Sequence, residues 1–140
     1  DDAVHRIAIP RRLLVMHMRI EDWQRLHGIT YGRVIAVGSR RGGSNQELAL
    51  RMAQRGATEL SGDWLLLSGG TDGRDGPTEA AGGFATPQTW ETIAKAGEDP
   101  AALLANNDSY AALKAADALL VSGGTGTNVA DVQIFLRRAG

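Results

Sequence analysis

Three polar, glycine-containing segments hold the residue types best suited to chemistry: GSRRGGSNQE after Val37, SGGTDGRDGPTE after Leu67 and SGGTGTN after Val121. Each follows an apolar run. Between Leu65 and Gly83 alone stand six glycines, three carboxylates and two threonines. Glycine costs backbone entropy on ordering, so loops this rich in it are kept where the backbone takes a positive φ or comes close to a bound group. Turns of this kind aim backbone amides outward, and a helix N-terminus beside them adds positive potential, which suits a phosphate or a carboxylate. Thr71, Thr78, Thr125 and Thr127 offer hydroxyl donors. Asp72, Asp75 and Asp108 offer acceptors, or the hard oxygen ligands magnesium prefers. Arg40 and Arg41 stand on the first loop beside a helix start, where a guanidinium can meet an anion.

Each group also has a plain structural alternative. Asp72 and Asp75 read equally well as turn residues in Asx conformations, Asn106-Asn107-Asp108 as a helix junction, and the two arginines as solvated charges. TDGRDG lacks the acid spacing of an EF-hand loop, and His5, His17 and His27 lack metal-ligand spacing. The P-loop pattern, the G-x-G-x-x-G dinucleotide fingerprint and the G-x-S-x-G nucleophile elbow are all missing. A dinucleotide-dependent oxidoreductase is therefore not expected.

These loops need elements to hold them. From Arg33 onward, apolar runs of strand character alternate with segments of helical period, predicting an α/β fold in which a layered sheet with flanking helices gathers its ligand loops at one edge. RVIAVGS predicts a strand ending at Gly38. Ser44 and Glu47 have capping-box spacing, predicting a helix from Asn45 to about Arg55 that Gly56 stops as a C′ glycine. DWLLLS is apolar without alternation, as expected of a parallel strand covered on both faces. Thr86-Pro87 should open a helix to about Ala96, and Asp99-Pro100 another through Leu104. Asp108 or Ser109 should cap a third, to about Ala115. DALLVSGG reads as a buried strand and DVQIFLR as a final strand with an edge place open to it.

Loops at the carboxyl ends of parallel strands collect at one edge, so segments 39–44, 69–78 and 123–128 are expected together, with Asp72 and Thr125 on one side of the sheet. About seventeen residues separate Ser68 from the helix near Pro87. A plain strand-to-helix link takes roughly two to six, so the excess is expected to serve a small-anion pocket. Residues 1–32 form a separate segment in which LLVMHMRI allows a strand and EDWQRLHG a helical turn; it is expected to be the least well packed.

The chain of 140 residues has the size of one domain. Its net charge of −1 hides an asymmetry, with ten arginines against five acids in residues 1–55 and five basic groups against eleven acids in the rest. The arginines are interleaved with apolar residues and form no run, so nucleic acid is not an expected partner. Apolar runs are far too short to span a bilayer, and no membrane partner is expected. Cysteine is absent, which excludes disulfides and thiolate chemistry and makes a cytoplasmic location the expectation. The opening DDAVH, without methionine, leads us to expect a fragment or a processed chain.

The segments GGSNQELALRMA, LLSGGTDGRDGPTEAAGG, NNDSYAAL and SGGTGTNVADVQI, in this order and spacing, resemble the MOFRL domain, the C-terminal domain of the type II glycerate kinases once labelled hydroxypyruvate reductases. The likeness runs from about Arg40 to Leu136, with residues 33–140 as the domain. It implies ATP-dependent phosphorylation of D-glycerate to 2-phosphoglycerate with Mg2+, in a cleft shared with an N-terminal Rossmann-like domain that supplies a catalytic lysine. That domain lies outside this sequence, so the resemblance implies a chain inactive alone. The alternative is a non-catalytic small-anion or phosphate binding module. The resemblance places Arg41, Asn45, Gln46 and Glu47 on the cleft wall from the first loop, and Thr71, Asp72, Asp75 and Thr78 from the second. Asn107 and Asp108 come from the third motif, Thr125, Thr127 and Asn128 from the last. Arg41 would neutralise substrate or phosphate charge, and Asp72 or Asp75 would orient a hydroxyl or the metal. Ser44 stands where the family usually has arginine, Gly124 where it has proline, and the family's GGE segment ahead of the first motif is missing.

Overall fold

A computed structural model describes residues 43–137 and the backbone of 14–16. The expected strand at RVIAVGS, both loop arginines Arg40 and Arg41, and residues 1–32 apart from that short piece lie outside the described residues.

Helix α1, Ser44–Glu59, is built from an unbroken run of good helix formers around ELALRMAQR. Its start and its end both differ from the sequence expectation. The N-cap is Gly43, in extended conformation, and Ser44 is already helical and makes no capping bond. The first-turn amides have another partner, the carboxylate of Asp75. Gly56 does not stop the helix, which runs on through an Arg55–Glu59 ion pair of 2.7 Å. Glycine is needed there for proximity: a Cβ at position 56 would come within 2.4 Å of the Trp64 ring.

Strand β1, Leu14–Met16, precedes α1, and β2, Trp64–Gly70, follows it. Then come β3, Gly82–Ala85, helices α2, Thr89–Lys95, α3, Pro100–Ala105, and α4, Ser109–Ala115, and strands β4, Leu119–Leu120, and β5, Asp131–Arg137. Among the described residues the sheet order is β1-β5-β2-β3-β4, and every neighbouring pair of these strands is antiparallel. The parallel arrangement expected around DWLLLS is thus corrected. Burial along β2 alternates at its start, Trp64 and Leu66 buried and Leu65 and Leu67 half-buried, as in a sheet with one face on the core. DVQIFLR takes an interior place between β1 and β2.

Strand β3 has no counterpart among the expected elements, which leave Ser68 to Pro87 as one connection. GGFA carries little strand signal, yet only glycine fits at positions 82 and 83. A Cβ at 82 would fall 1.8 Å from the Ser68 carbonyl oxygen, and one at 83 would strike Leu113 at 2.5 Å. The unusual length of that segment is therefore a strand plus the connection 71–81, and length alone argues no pocket.

The helix starts are mixed. Asp99 caps α3 as expected, its carboxylate accepting from the Ala102 amide at 3.1 Å with Pro100 behind it. Asp108 precedes α4 as N-cap, without a capping side-chain bond. Thr86-Pro87 forms a turn rather than a helix start: the Thr86 amide donates to Thr89 Oγ1 at 2.9 Å, and α2 begins at Thr89. DALLVSGG yields only two strand residues before Val121 turns into solvent, 58% exposed.

Helices and sheet close over two apolar clusters. Leu48, Met52 and Ala53 of α1 meet Trp64, Leu66, Ala85 and Phe135, with Trp64 and Phe135 stacked 6.4 Å apart. Ala49 and Leu50 meet Ile93, Leu104, Ala112, Leu113 and Ala118. Helix α1 therefore wedges between sheet and short helices with most of its surface buried, which fixes the position of its N-terminus.

Candidate functional site

Because β2 and β4 are both antiparallel to β3, they run in the same direction and end at the same edge. Gly69 pairs with Gly82, Leu120 with Gly82 and Gly70 with Asp131, so two strand ends and two strand starts lie level there. The antiparallel sheet thus gathers connections 71–81 and 121–130 at one edge, as expected of these two of the three loops; residues 39–42 of the third lie outside the described residues.

The edge is fastened at Thr71. Its amide and its hydroxyl both donate to the Ala130 carbonyl, at 3.0 and 2.7 Å, and the hydroxyl accepts from the Val129 amide at 2.8 Å. Thr125 donates its hydroxyl to the Thr71 carbonyl. Asn128 folds back through Oδ1 onto the Ala130 amide at 3.1 Å, and the Thr127 amide donates to Thr125 Oγ1 at 3.4 Å. Gly73, at φ 87, packs so close to the Gly123 carbonyl that a Cβ would lie 2.0 Å from its oxygen. Asp72, next to Thr71, and Thr125 accordingly stand at the same edge of the sheet. Every residue from Val121 to Asp131 is exposed.

The second focus is Asp75, whose side chain turns inward and is 4% exposed. Its Oδ1 accepts from the Asn45 amide at 3.0 Å and from Asn45 Nδ2 at 3.2 Å, and its Oδ2 from the Gln46 amide at 2.8 Å. A carboxylate on the first-turn amides of a 16-residue helix is both hydrogen-bonded and favoured by the helix dipole. Gln46, fully buried, donates through Nε2 to the Asp75 carbonyl at 3.1 Å and to Thr78 Oγ1 at 3.0 Å.

Asn45 joins this focus to the sheet. Its Nδ2 also donates to Asp131 Oδ1 at 3.0 Å, and its Oδ1 accepts the Ser68 hydroxyl at 2.6 Å. Glu47 is buried, with Oε1 taking Arg51 Nε at 3.2 Å and NH2 at 2.9 Å. Two buried acceptors in this turn, Gln46 Oε1 and Glu47 Oε2, have no hydrogen-bond partner.

The structure thus brings together Asn45, Gln46, Asp75 and Thr78 in one network and Thr71, Thr125, Thr127 and Asn128 in another, joined through the 71–75 turn and the Asn45–Asp131 bond. Asp72 accepts the Arg74 amide at 2.9 Å through Oδ1, an Asx turn, as its plain alternative had it. Asn107 lies at the α3–α4 junction at φ 54, and its amide donates to the Leu104 carbonyl at 3.1 Å; Asp108 follows it. That junction approaches the edge through Tyr110, which donates its hydroxyl to Glu79. The bond holds the Glu79 carboxyl below its ordinary 4.5 and the Tyr110 phenol above its ordinary 10.0. Arg41 lies outside the described residues.

Sequence reasoning missed Ser68, Asp131 and the Glu79–Tyr110 pair. Ser68 and Asp131 do stand at the ends of the quoted motifs, where a polar residue closes an apolar run or opens one.

Among the described residues, no three carboxylates, histidines or cysteines cluster to hold a metal. Asp75 is a poor ligand, with three donors already on its two oxygens. Asp72 and Asp131 each use one oxygen, which fits the one or two carboxylates magnesium takes when phosphates supply the rest. No described helix is long and apolar enough to cross a membrane.

The profile of the MOFRL family matches residues 32–131. A D-glycerate 2-kinase of Thermotoga maritima is 54% identical over 99 residues, which are 71% of this chain and 23% of that protein. A human glycerate kinase is 49% identical over 106 residues, 72% of this chain and 20% of the relative. The crystal structure of a glycerate kinase from Thermotoga maritima matches with a TM-score of 0.66 and 51% identity, over 74% of this chain and 25% of that one. The chain spans about a quarter or less of the length of these relatives.

Proposed function

Since this chain belongs to the MOFRL family, we propose that it is the C-terminal domain of a cytoplasmic glycerate kinase that phosphorylates D-glycerate to 2-phosphoglycerate with ATP and magnesium. The observation that carries this reading is the edge itself. Connections 71–81 and 121–130 are locked together through Thr71 and Thr125, and the segment 121–131 is exposed along its whole length. Such an edge is one wall of a cleft, and a Rossmann-like N-terminal domain supplies the other.

Phosphoryl transfer asks mainly for positioning and charge neutralisation. Magnesium bound with the nucleotide would neutralise phosphate charge, with Asp72 or Asp131 as protein ligand. In this reading Asp75 acts by fixing α1 to the 71–81 connection, its oxygens being turned to the helix. Thr125, Thr127 and Asn128 shape the outer loop, Asn107 and Asp108 line the far side, and Glu47, Gln46, Asn45 and Thr78 hold the floor. Arg41 supplies positive charge beside α1.

The test is an ATP-dependent glycerate phosphorylation assay on the purified chain, alone and mixed with the N-terminal part of the Thermotoga maritima relative. The chain alone should give no turnover, because half a site forfeits most of the positioning. The mixture should form 2-phosphoglycerate. Turnover by the chain alone would overturn the requirement for a partner. A mixture that binds D-glycerate or ATP but never turns over would favour the anion-binding module.

A further inference from the structure

An anion approaching this edge meets negative charge first. Asp131 is exposed there, Asp72 is half-buried, and Glu79 is exposed on the same connection. A cation is needed to offset them, and most cations of residues 43–137 are engaged elsewhere. Arg51 is on Glu47, Arg55 on Glu59, Lys95 on Glu91, Lys114 over the Tyr110 ring and Arg137 on the Ser61 carbonyl. Arg74 is the exception: exposed, between Asp72 and Asp75, it is the one cation among the described residues whose side chain has no partner.

That isolation is not what its sequence surroundings suggest. In DGRD an arginine has a carboxylate on either side, yet neither takes its guanidinium. Asp75 turns inward onto α1, and Asp72 accepts the Arg74 backbone amide instead. The root of the side chain is held while its head is not. The Gly73 amide donates to the Gly70 carbonyl at 3.0 Å, and the Arg74 carbonyl packs against Gly70, where a Cβ would lie 2.4 Å from its oxygen. A guanidinium on a fixed root, beside acids committed elsewhere, is available to a paired set of anionic oxygens, and its planar fork suits them better than an ammonium.

We infer that Arg74 contacts the anionic group of a substrate at this edge, the carboxylate of D-glycerate or a phosphate of the nucleotide, and so sets affinity rather than rate. The inference rests on the kinase reading above.

Steady-state kinetics of the reconstituted two-part kinase with wild-type, Arg74→Gln and Arg74→Lys chains test it. Arg74→Gln should raise one KM about tenfold and leave kcat within about twofold, the pattern of lost uniform binding. Arg74→Lys should recover part of that loss, since it keeps the charge and loses the fork. A rise confined to D-glycerate assigns the carboxylate, and one confined to ATP assigns the phosphate. Unchanged KM values for both substrates in an active enzyme overturn the inference and leave the kinase reading standing. An inactive wild-type mixture overturns the kinase reading, and the inference with it. A lowered urea midpoint for Arg74→Gln, not restored by lysine, would make Arg74 structural and also overturn the inference.

Discussion

A side chain at position 43 and the carboxylate of Asp75 would occupy the same space: a Cβ on Gly43 would lie 2.0 Å from Asp75 Cγ. The glycine is therefore the opening through which a residue thirty-two positions away caps α1. Gly43→Ala should push Asp75 off the helix and cost about 2 kcal/mol, and Asp75→Ala about 2–3 kcal/mol, the range for a lost cap and unpaired buried amides. Because both remove one arrangement, the double variant should cost little more than either alone. Urea unfolding of the four chains measures this, and additive losses would refute the shared cap.

Asn45 stands between two carboxylates, donating Nδ2 to Asp75 and to Asp131 while its Oδ1 accepts Ser68. Asn45→Asp replaces the donor by a third carboxylate in a site 3% exposed. It should destabilise by about 2–4 kcal/mol at neutral pH, more than Asn45→Ala, because it adds repulsion to the lost bonds. Equal unfolding midpoints for the two variants would contradict this account.

Ala130 holds φ 67, the left-handed region that L side chains disfavour, where its carbonyl takes both bonds from Thr71. Relief of that strain outweighs the extra chain entropy of glycine, so Ala130→Gly should stabilise by about 0.5–1 kcal/mol. Ala130→Val, β-branched, should destabilise by at least about 1 kcal/mol. Thermal melts with opposite shifts are the expected result, and a destabilised glycine variant would count against strain at this corner.

The Tyr110 hydroxyl donates to Glu79; this bond, then a backbone hydrogen bond and the Lys114 charge, lower the Glu79 carboxyl below 4.5, and the same bond, with the Glu79 charge, raises the phenol above 10.0. The stability Glu79 contributes is present above pH 4.5 and fades as pH falls through its lowered value. The contribution of Tyr110 is present below pH 10 and fades as pH rises through its raised one. Glu79 is exposed and Tyr110 only half-buried, so the effect is small and best read directly. In Tyr110→Phe the Glu79 carboxyl, followed by NMR titration, should move back toward 4.5, and an unmoved midpoint would deny the pairing.

The sequence alone determined what local chemistry can express. Helix formers in ELALRMAQR made α1, Asp99-Pro100 made the start of α3, an apolar run made β2, and the alternating DVQIFLR made β5. Four ordered motifs marked the family and the loops of the candidate site. What failed were features whose cause lies far along the chain. Ser44 looked like a cap by spacing, but a buried carboxylate thirty-one residues on took the amides first. Gly56 looked like a stop, but its missing side chain makes room for Trp64. GGFA looked like loop, yet its glycines are the only residues that fit between the Ser68 carbonyl and Leu113. Strand direction could not be read either, because a run such as DWLLLS carries no mark of its neighbours. Tertiary packing alone decided that β2 and β4 run the same way on either side of β3, which is why Thr71 and Thr125 meet. It also turned Asp75 inward and left Arg74 outward, since only the nearness of an uncapped helix end could tell two charges of one short loop apart.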